Sequence, residues 1–113
     1  TAIEYLKFAK KLDLNDYRNL FRLGEFYFEI GNYEEAKNNF NILLSKEHLI
    51  KDNDLKAGLN LYMARLYSLS GNFKRAQYFT SKSLSADPKN ELAKDLQEYI
   101  KQEVEKEKNL TIM

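Results

Sequence analysis

Cysteine is absent from this chain, which removes any disulfide framework, thiolate metal site or thiol nucleophile. The absence says nothing about compartment, because secreted and cytosolic proteins alike go without cysteine. Histidine occurs once, at His48, with no second imidazole or thiol to build a metal site or a catalytic pair, so an exposed loop residue is expected there. The few glycines are scattered singly, without the spacing of a phosphate-cradling loop. Asp52-Asn53-Asp54 has the look of a calcium loop, but Leu55-Lys56-Ala57 supplies neither the next oxygen ligand nor the required Gly; a helix cap is the expected role. Charge of one sign is also lacking: 18 Lys and Arg against 17 Asp and Glu leave +1, no field to recruit nucleic acid or an anionic membrane. Apolar runs are too short to span a bilayer or to form a signal-peptide core. No enzymatic activity, cofactor or metal is expected.

What remains fits a packed all-helical body. The chain has 113 residues, the size of one domain, with Thr1 in place of an initiator Met leading us to expect a segment of a longer protein. A single Pro, no strand-like alternation and 15 Tyr and Phe (8 + 7) argue for buried helix faces over disorder. Ile3, Leu6 and Ala9, with Tyr5 and Phe8, stripe a first helix over residues 2–12, with Lys7, Lys10 and Lys11 on its solvated side. Asn15 or Asp16 should cap a second helix from Tyr17 to Ile30 that buries Leu20, Leu23, Gly24, Tyr27 and Ile30. Gly31 suits the left-handed conformation that ends a helix, and Asn32 with Glu35 forms an Asn capping box for a third, carrying Ala36, Phe40, Leu43 and Leu44. Gly24, costly inside a helix by roughly 1 kcal/mol relative to Ala, implies a neighbouring helix passing very close.

A longer connection follows from Lys46 to Asp54. A fourth helix runs over 54–70, burying Leu59, Met63, Ala64, Leu66 and Tyr67, and a fifth over 73–85, presenting Ala76, Phe79 and Leu84. Asp87 should cap the last helix with Pro88 at its first position; Leu92, Leu96, Tyr99, Ile100 and Val104 form its stripe, and the alternating signs of residues 103–108 mark a solvated end.

The chain repeats itself. Leu23, Gly24, Tyr27, Gly31, Tyr33 and Ala36 are answered by Met63, Ala64, Tyr67, Gly71, Phe73 and Ala76, each 40 residues on, and Ala2, Leu6 and Ala9 precede Ala36, Phe40 and Leu43 by 34. With Phe40 and Pro88 these positions resemble the tetratricopeptide repeat family over about residues 1–90. The resemblance implies an α-solenoid: a half-repeat helix (1–13), two repeats (16–47 and 54–87) and a capping helix (88–108), in which Tyr27, Tyr33, Phe40, Tyr67 and Phe73 are core. Asn60, Thr80 and Ser83 depart from the family pattern, which leads us to expect looser packing of the second copy. The six residues by which 40 exceeds the family's 34 should lie between Leu44 and Lys56.

The same resemblance implies a concave groove that holds a peptide or helix of a protein partner, lined by Arg18, Phe21, Arg22, Glu25 and Phe28 from the first copy and Leu61, Tyr62, Arg65 and Leu69 from the second. Phe21, Phe28 and Tyr62 have an equal claim to packing on each other or on the last helix. The Asn positions of the chaperone-binding branch fall at Glu25 and Tyr62, so a chaperone C-terminus is not the expected partner. The expected role is a non-enzymatic interaction scaffold. Self-association through an uncovered first helix, giving a homo-oligomer, is the alternative, and an accessory domain beside a catalytic one is a third.

Overall fold

The computed structural model describes residues 14–112. They form α1 (Leu14–Glu29), α2 (Tyr33–Ser45), a 3-10 turn (Glu47–Leu49), α3 (Asn53–Leu69), α4 (Phe73–Ala86) and α5 (Glu91–Ile112), with no strand among the described residues. The helix expected over residues 2–12 lies outside them. Asn15 and Asp16 fall inside α1 and do not precede it; Asp16 there places its charge in the first turn, where the helix dipole favours an anion.

Both Gly-Asn breaks take the same form. The Gly31 N–H donates to the Phe28 carbonyl at 3.1 Å and the Asn32 N–H to that of Tyr27 at 2.8 Å, while Gly71 and Asn72 repeat this onto Ser68 and Tyr67 at 3.1 and 2.9 Å. This pair of hydrogen bonds satisfies two of the free carbonyls at a helix end and goes with a positive φ, here +82° at Gly31 and +80° at Gly71. One residue later the chain is already capping the next helix: Asn32 Oδ1 accepts from the Glu35 N–H at 3.4 Å, and Asn72 Oδ1 from that of Arg75 at 3.3 Å. The Asn32 N–H, which a capping box would return to Glu35, is bonded to Tyr27. Two residues therefore end one helix and start another, and the two helices of each such pair pack on each other.

Each helix packs on its neighbour in sequence, and α3 additionally touches α1 and α5. Phe40, Leu43, Ile50, Leu59 and Met63 are fully buried at the centre, with Tyr17, Leu20, Phe28 and Phe79 around them. Gly24 sits under the Phe40 ring, where an added Cβ would meet Cε1 at 2.6 Å. Leu23 and Ile30, expected inside, are instead exposed, as is Tyr33; Tyr27, Tyr67 and Phe73 are half-buried. The apolar arc of α1 is narrower than its spacing predicts. Tyr17, Leu20, Gly24 and Phe28 share its buried side, while Leu23 and Ile30 fall on its flank.

The second copy closes over the polar residues that depart from the pattern. Asn60, Thr80 and Ser83 are fully buried, and each has a backbone carbonyl to bond: Thr80 Oγ1 donates to Ala76 at 2.7 Å, Asn60 Nδ2 to Lys56 at 2.8 Å, and Ser83 Oγ to Ala57 at 2.7 Å, the last joining α4 to α3. Small hydroxyls replace bulk with directional contact. The extra residues lie in the connection, since α2 and α4 are nearly equal at 13 and 14 residues. That connection is pinned by buried Ile50 and by Glu47, which receives Lys82 Nζ at 2.7 Å. Asp52 caps α3, its Oδ1 accepting from the N–H groups of Asp54 and Leu55 at 3.0 and 3.2 Å.

Before α5 the chain turns once more than expected. The Asn90 N–H donates to the Asp87 carbonyl at 3.2 Å across Pro88-Lys89, and Asn90 is the cap, accepting from the Ala93 N–H at 3.1 Å. Pro88 with its fixed φ favours the second position of that turn, so Asp87 opens a turn and not the helix. In α5, Ala93 and Ile100 are fully buried and Leu96 and Val104 half-buried, but Leu92 and Tyr99 face solvent, and the helix continues past residue 108 to Ile112.

Candidate functional site

The spacing of Arg18, Phe21, Arg22, Glu25 and Phe28 by three and four residues puts them along one face of α1, and Tyr62, Arg65 and Leu69 share a face of α3 by the same rule. Those faces meet at Tyr62. Its ring stacks on Phe40 at 5.3 Å between centroids and takes edge contacts from Phe28 at 5.2 Å and Phe21 at 5.9 Å. Phe21 also packs against Gly58, where a Cβ would come within 2.8 Å of its Cζ. The three aromatics expected to line a groove are thus engaged with one another: Phe28 is buried, and Phe21 and Tyr62 are half-buried. Leu61 is buried as well and lines neither cavity described below. One residue from Tyr62 is a rotation of about 100° around the helix, which carries Leu61 off the shared face.

The Tyr62 hydroxyl donates to Glu25 Oε2 at 3.1 Å. Burial raises the phenol's pKa above its ordinary 10.0, and the neighbouring Glu25 carboxylate, which disfavours a phenolate, raises it further against a smaller opposing pull from Arg65. This bond spans the face between α1 and α3, with a cavity on either side. On one side a space of about 260 Å³ is bounded by Arg18, Phe21, Arg22 and Glu25 with Asp52 and Leu55. Arg18 there reaches Asp52 at 3.4 Å, an exposed pair of the kind that contributes little.

On the other side lies a mostly apolar space of about 340 Å³, walled by Phe28, Tyr33, Arg65, Leu69, Leu96 and Tyr99. Three helices and the first residue of a fourth build it. α1 gives the Phe28 floor, α3 gives Arg65 and Leu69, α5 gives Leu96 and Tyr99, and Tyr33 opens α2. Leu69 is 61% exposed and Tyr99 47%, a large apolar surface left uncovered at the rim. The Arg65 guanidinium lies over the Phe28 ring at 4.5 Å and the Tyr62 ring at 5.2 Å. It makes no ion pair among the described residues.

The structure therefore divides the nine expected groove residues. Arg18, Phe21, Arg22 and Glu25 bound one cavity, Phe28, Arg65 and Leu69 the other, Tyr62 stands between, and Leu61 belongs to the interior. Tyr33, Leu96, Tyr99 and the seat at Gly58 were not foreseen. A signal existed for the α5 pair, because Leu92, Leu96 and Tyr99 are spaced by four and three while Ala93 and Ile100 make the buried contact. A larger cavity of about 450 Å³ sits elsewhere, between α4 and α5, and is lined mainly by polar side chains such as Gln77, Gln97, Glu98 and Lys101. It has no wall from α1 or α3. No group of three or more His, Cys, Asp or Glu side chains is placed to hold a metal ion, and no helix is long and apolar enough to cross a membrane, among the described residues. Compared with protein-family models, with curated proteins and with solved structures, the chain finds no match.

Proposed function

We propose that the chain is a non-enzymatic protein-interaction scaffold: a segment of an α-solenoid of tetratricopeptide-repeat type that holds a peptide or helix of a protein partner against α1 and α3, with α5 closing one end. Support for the repeat reading comes from two Gly-Asn junctions with the same bonds and the same positive φ, and from helices that pack in chain order. The observation that carries the binding role is the 340 Å³ apolar cavity with Leu69 and Tyr99 uncovered at its rim. A monomeric domain gains nothing from leaving that surface wet.

The test is capture of protein partners by the immobilised chain compared with its Arg22→Glu, Arg65→Glu double variant and with Leu69→Lys. Partners retained by the parent and lost by both variants, at unchanged helical circular dichroism, support the groove. Capture indifferent to both refutes it.

Self-association is a second reading with its own observation. Leu23, Phe26 and Ile30, spaced by three and four along α1, are exposed on a flank of that helix away from the cavity walls. Sedimentation separates the two readings: a concentration-dependent dimer dissolved by Phe26→Lys supports assembly through this flank, and a strict monomer excludes it.

A further inference from the structure

Arg65 is the feature of the apolar cavity that packing does not explain. Two aromatic rings attract the positive charge of a half-buried guanidinium, but its N–H groups still need acceptors. Tyr62, the nearest oxygen-bearing ring, commits its hydroxyl proton to Glu25 at 3.1 Å, and no carboxylate among the described residues pairs with Arg65. The Arg65 guanidinium carbon lies 4.5 Å from the Phe28 ring centroid and 5.2 Å from that of Tyr62, so the two rings already hold the head group in place and a carboxylate contact there would freeze little further motion. Arg22, farther along the same face, is exposed and likewise makes no ion pair among the described residues, but it bounds the other cavity beside Glu25, Asp52 and Asp54, so the charge offered at the apolar cavity is that of Arg65.

Beside that fork is the apolar space itself. Phe28 floors it, Leu96 and Tyr99 wall it and Leu69 borders it, giving a volume near the small end of ligand-binding pockets, about 300–1,000 Å³. The lining has no second cation and no carboxylate. It suits the body of one large uncharged side chain.

Resting on the groove reading above, we propose that this cavity recognises a short peptide segment in which a large apolar residue adjoins an acidic one, the apolar side chain filling the space between Phe28, Leu69 and Tyr99 and the carboxylate pairing with Arg65. The apolar residue gives the burial and the acid gives the register. Basic segments are rejected by the same guanidinium.

The probe is a displayed library of short random peptides, selected on the full chain, with each enriched sequence then made as a fluorescein-labelled peptide for polarisation titrations. Enriched peptides are expected to carry Leu, Ile, Phe or Met within two positions of Asp or Glu. Arg65→Gln, which preserves a flat stacking group, and replacement of the peptide acid by its amide should each weaken binding about tenfold, and the two together scarcely more than one. Leu69→Lys, at an exposed position where folding is not at stake, should abolish binding. Peptides that lose affinity with Leu69→Lys but carry no acid and ignore Arg65→Gln overturn the acidic recognition while leaving the groove reading in place. Peptides indifferent to both variants, or no enrichment at all, overturn both. A dimer of the chain dissolved by Leu69→Lys would place a second copy in the cavity and also overturn the inference.

Discussion

Gly24→Ala poses two effects of opposite sign against each other at one atom. The helix interior gains about 1 kcal/mol when Gly becomes Ala, because the unfolded chain loses freedom it would otherwise have to give up. The new Cβ, however, would stand 2.6 Å from Phe40 Cε1 and 2.8 Å from Cζ. Carbon atoms in contact rest about 3.5–4.0 Å apart, so the ring must retreat by roughly 1 Å. It has nowhere to go: Phe40 is fully buried, stacked on Tyr62 at 5.3 Å and tilted against Phe21 at 5.9 Å. Overpacking of this kind costs about 1–3 kcal/mol, and the net expectation is a loss of about 1 kcal/mol, a drop of about 4–8 °C in melting temperature for a domain of this size. Urea unfolding followed by circular dichroism measures it. The decisive comparison is the same substitution in a Phe40→Leu background, where Cε1 and Cζ are gone. There Gly24→Ala should gain up to about 1 kcal/mol, so the sign reverses and the pair is coupled by about 2 kcal/mol. A stabilising Gly24→Ala with Phe40 intact, or equal effects in both backgrounds, would refute the close approach.

Gly31→Ala and Gly71→Ala test conformation without contact, since a Cβ at either would meet nothing within 4 Å while φ stays at +82° or +80°. Each should cost about 1–2 kcal/mol in the same urea assay, and a neutral result at either would contradict the left-handed junction. Asn39 is fully buried with neither its Oδ1 nor its Nδ2 bonded, and the corresponding place in the second copy holds Phe79. Asn39→Leu should therefore stabilise by about 1–3 kcal/mol, and a loss would mean that the amide has partners. The raised pKa of Tyr62 makes its contribution to stability fully present below pH 10, the value of a free phenol, and lost as pH climbs through the folded value, because the unfolded chain sheds that proton first. Unfolding free energies measured from pH 9 to 12 should fall less steeply in Tyr62→Phe than in the parent, and identical slopes would deny the burial and the Glu25 contact.

The helix order was legible because it is written in local chemistry. Gly31-Asn32 and Gly71-Asn72 announce a stop and a start within two residues, and the bonds to Tyr27 and Tyr67 follow from that alone. Gly24 was legible for a different reason: a residue that weakens a helix needs a cause, and a neighbouring ring supplied it. Gly58 carries the same message about Phe21, but outside the repeated positions nothing in the sequence singles it out. The boundary before α5 was misread because Asp87-Pro88 serves equally well as a turn opening or a helix start, and only Asn90, free to cap three residues later, tips the choice. Asn60, Thr80 and Ser83 misled in the other direction. A polar residue at a core position signals looseness when it finds no partner, and here each donates to a backbone carbonyl, while Asn60 Oδ1 alone of the three residues' side-chain atoms stays buried without a bond.

Which side of α1 and α3 would face a partner, on the reading proposed above, is harder to read, because periodicity assigns a residue to a face without saying what else is there. Phe21 and Phe28 on α1 and Tyr62 on α3 are expected on a concave face or packed on one another, and in the structure the rings touch. Their rings therefore satisfy one another, and what is left for a partner is the residue whose chemistry the cluster does not complete. For Glu25 the cluster is complete, with the Tyr62 hydroxyl at 3.1 Å. For Arg65 it is not, since two aromatic faces stabilise a cation without accepting its protons. On the groove reading proposed above, specificity would therefore come less from the aromatics than from Arg65, which they hold in place and which has no ion pair among the described residues, with Leu69 and Tyr99 deciding what sits beside it.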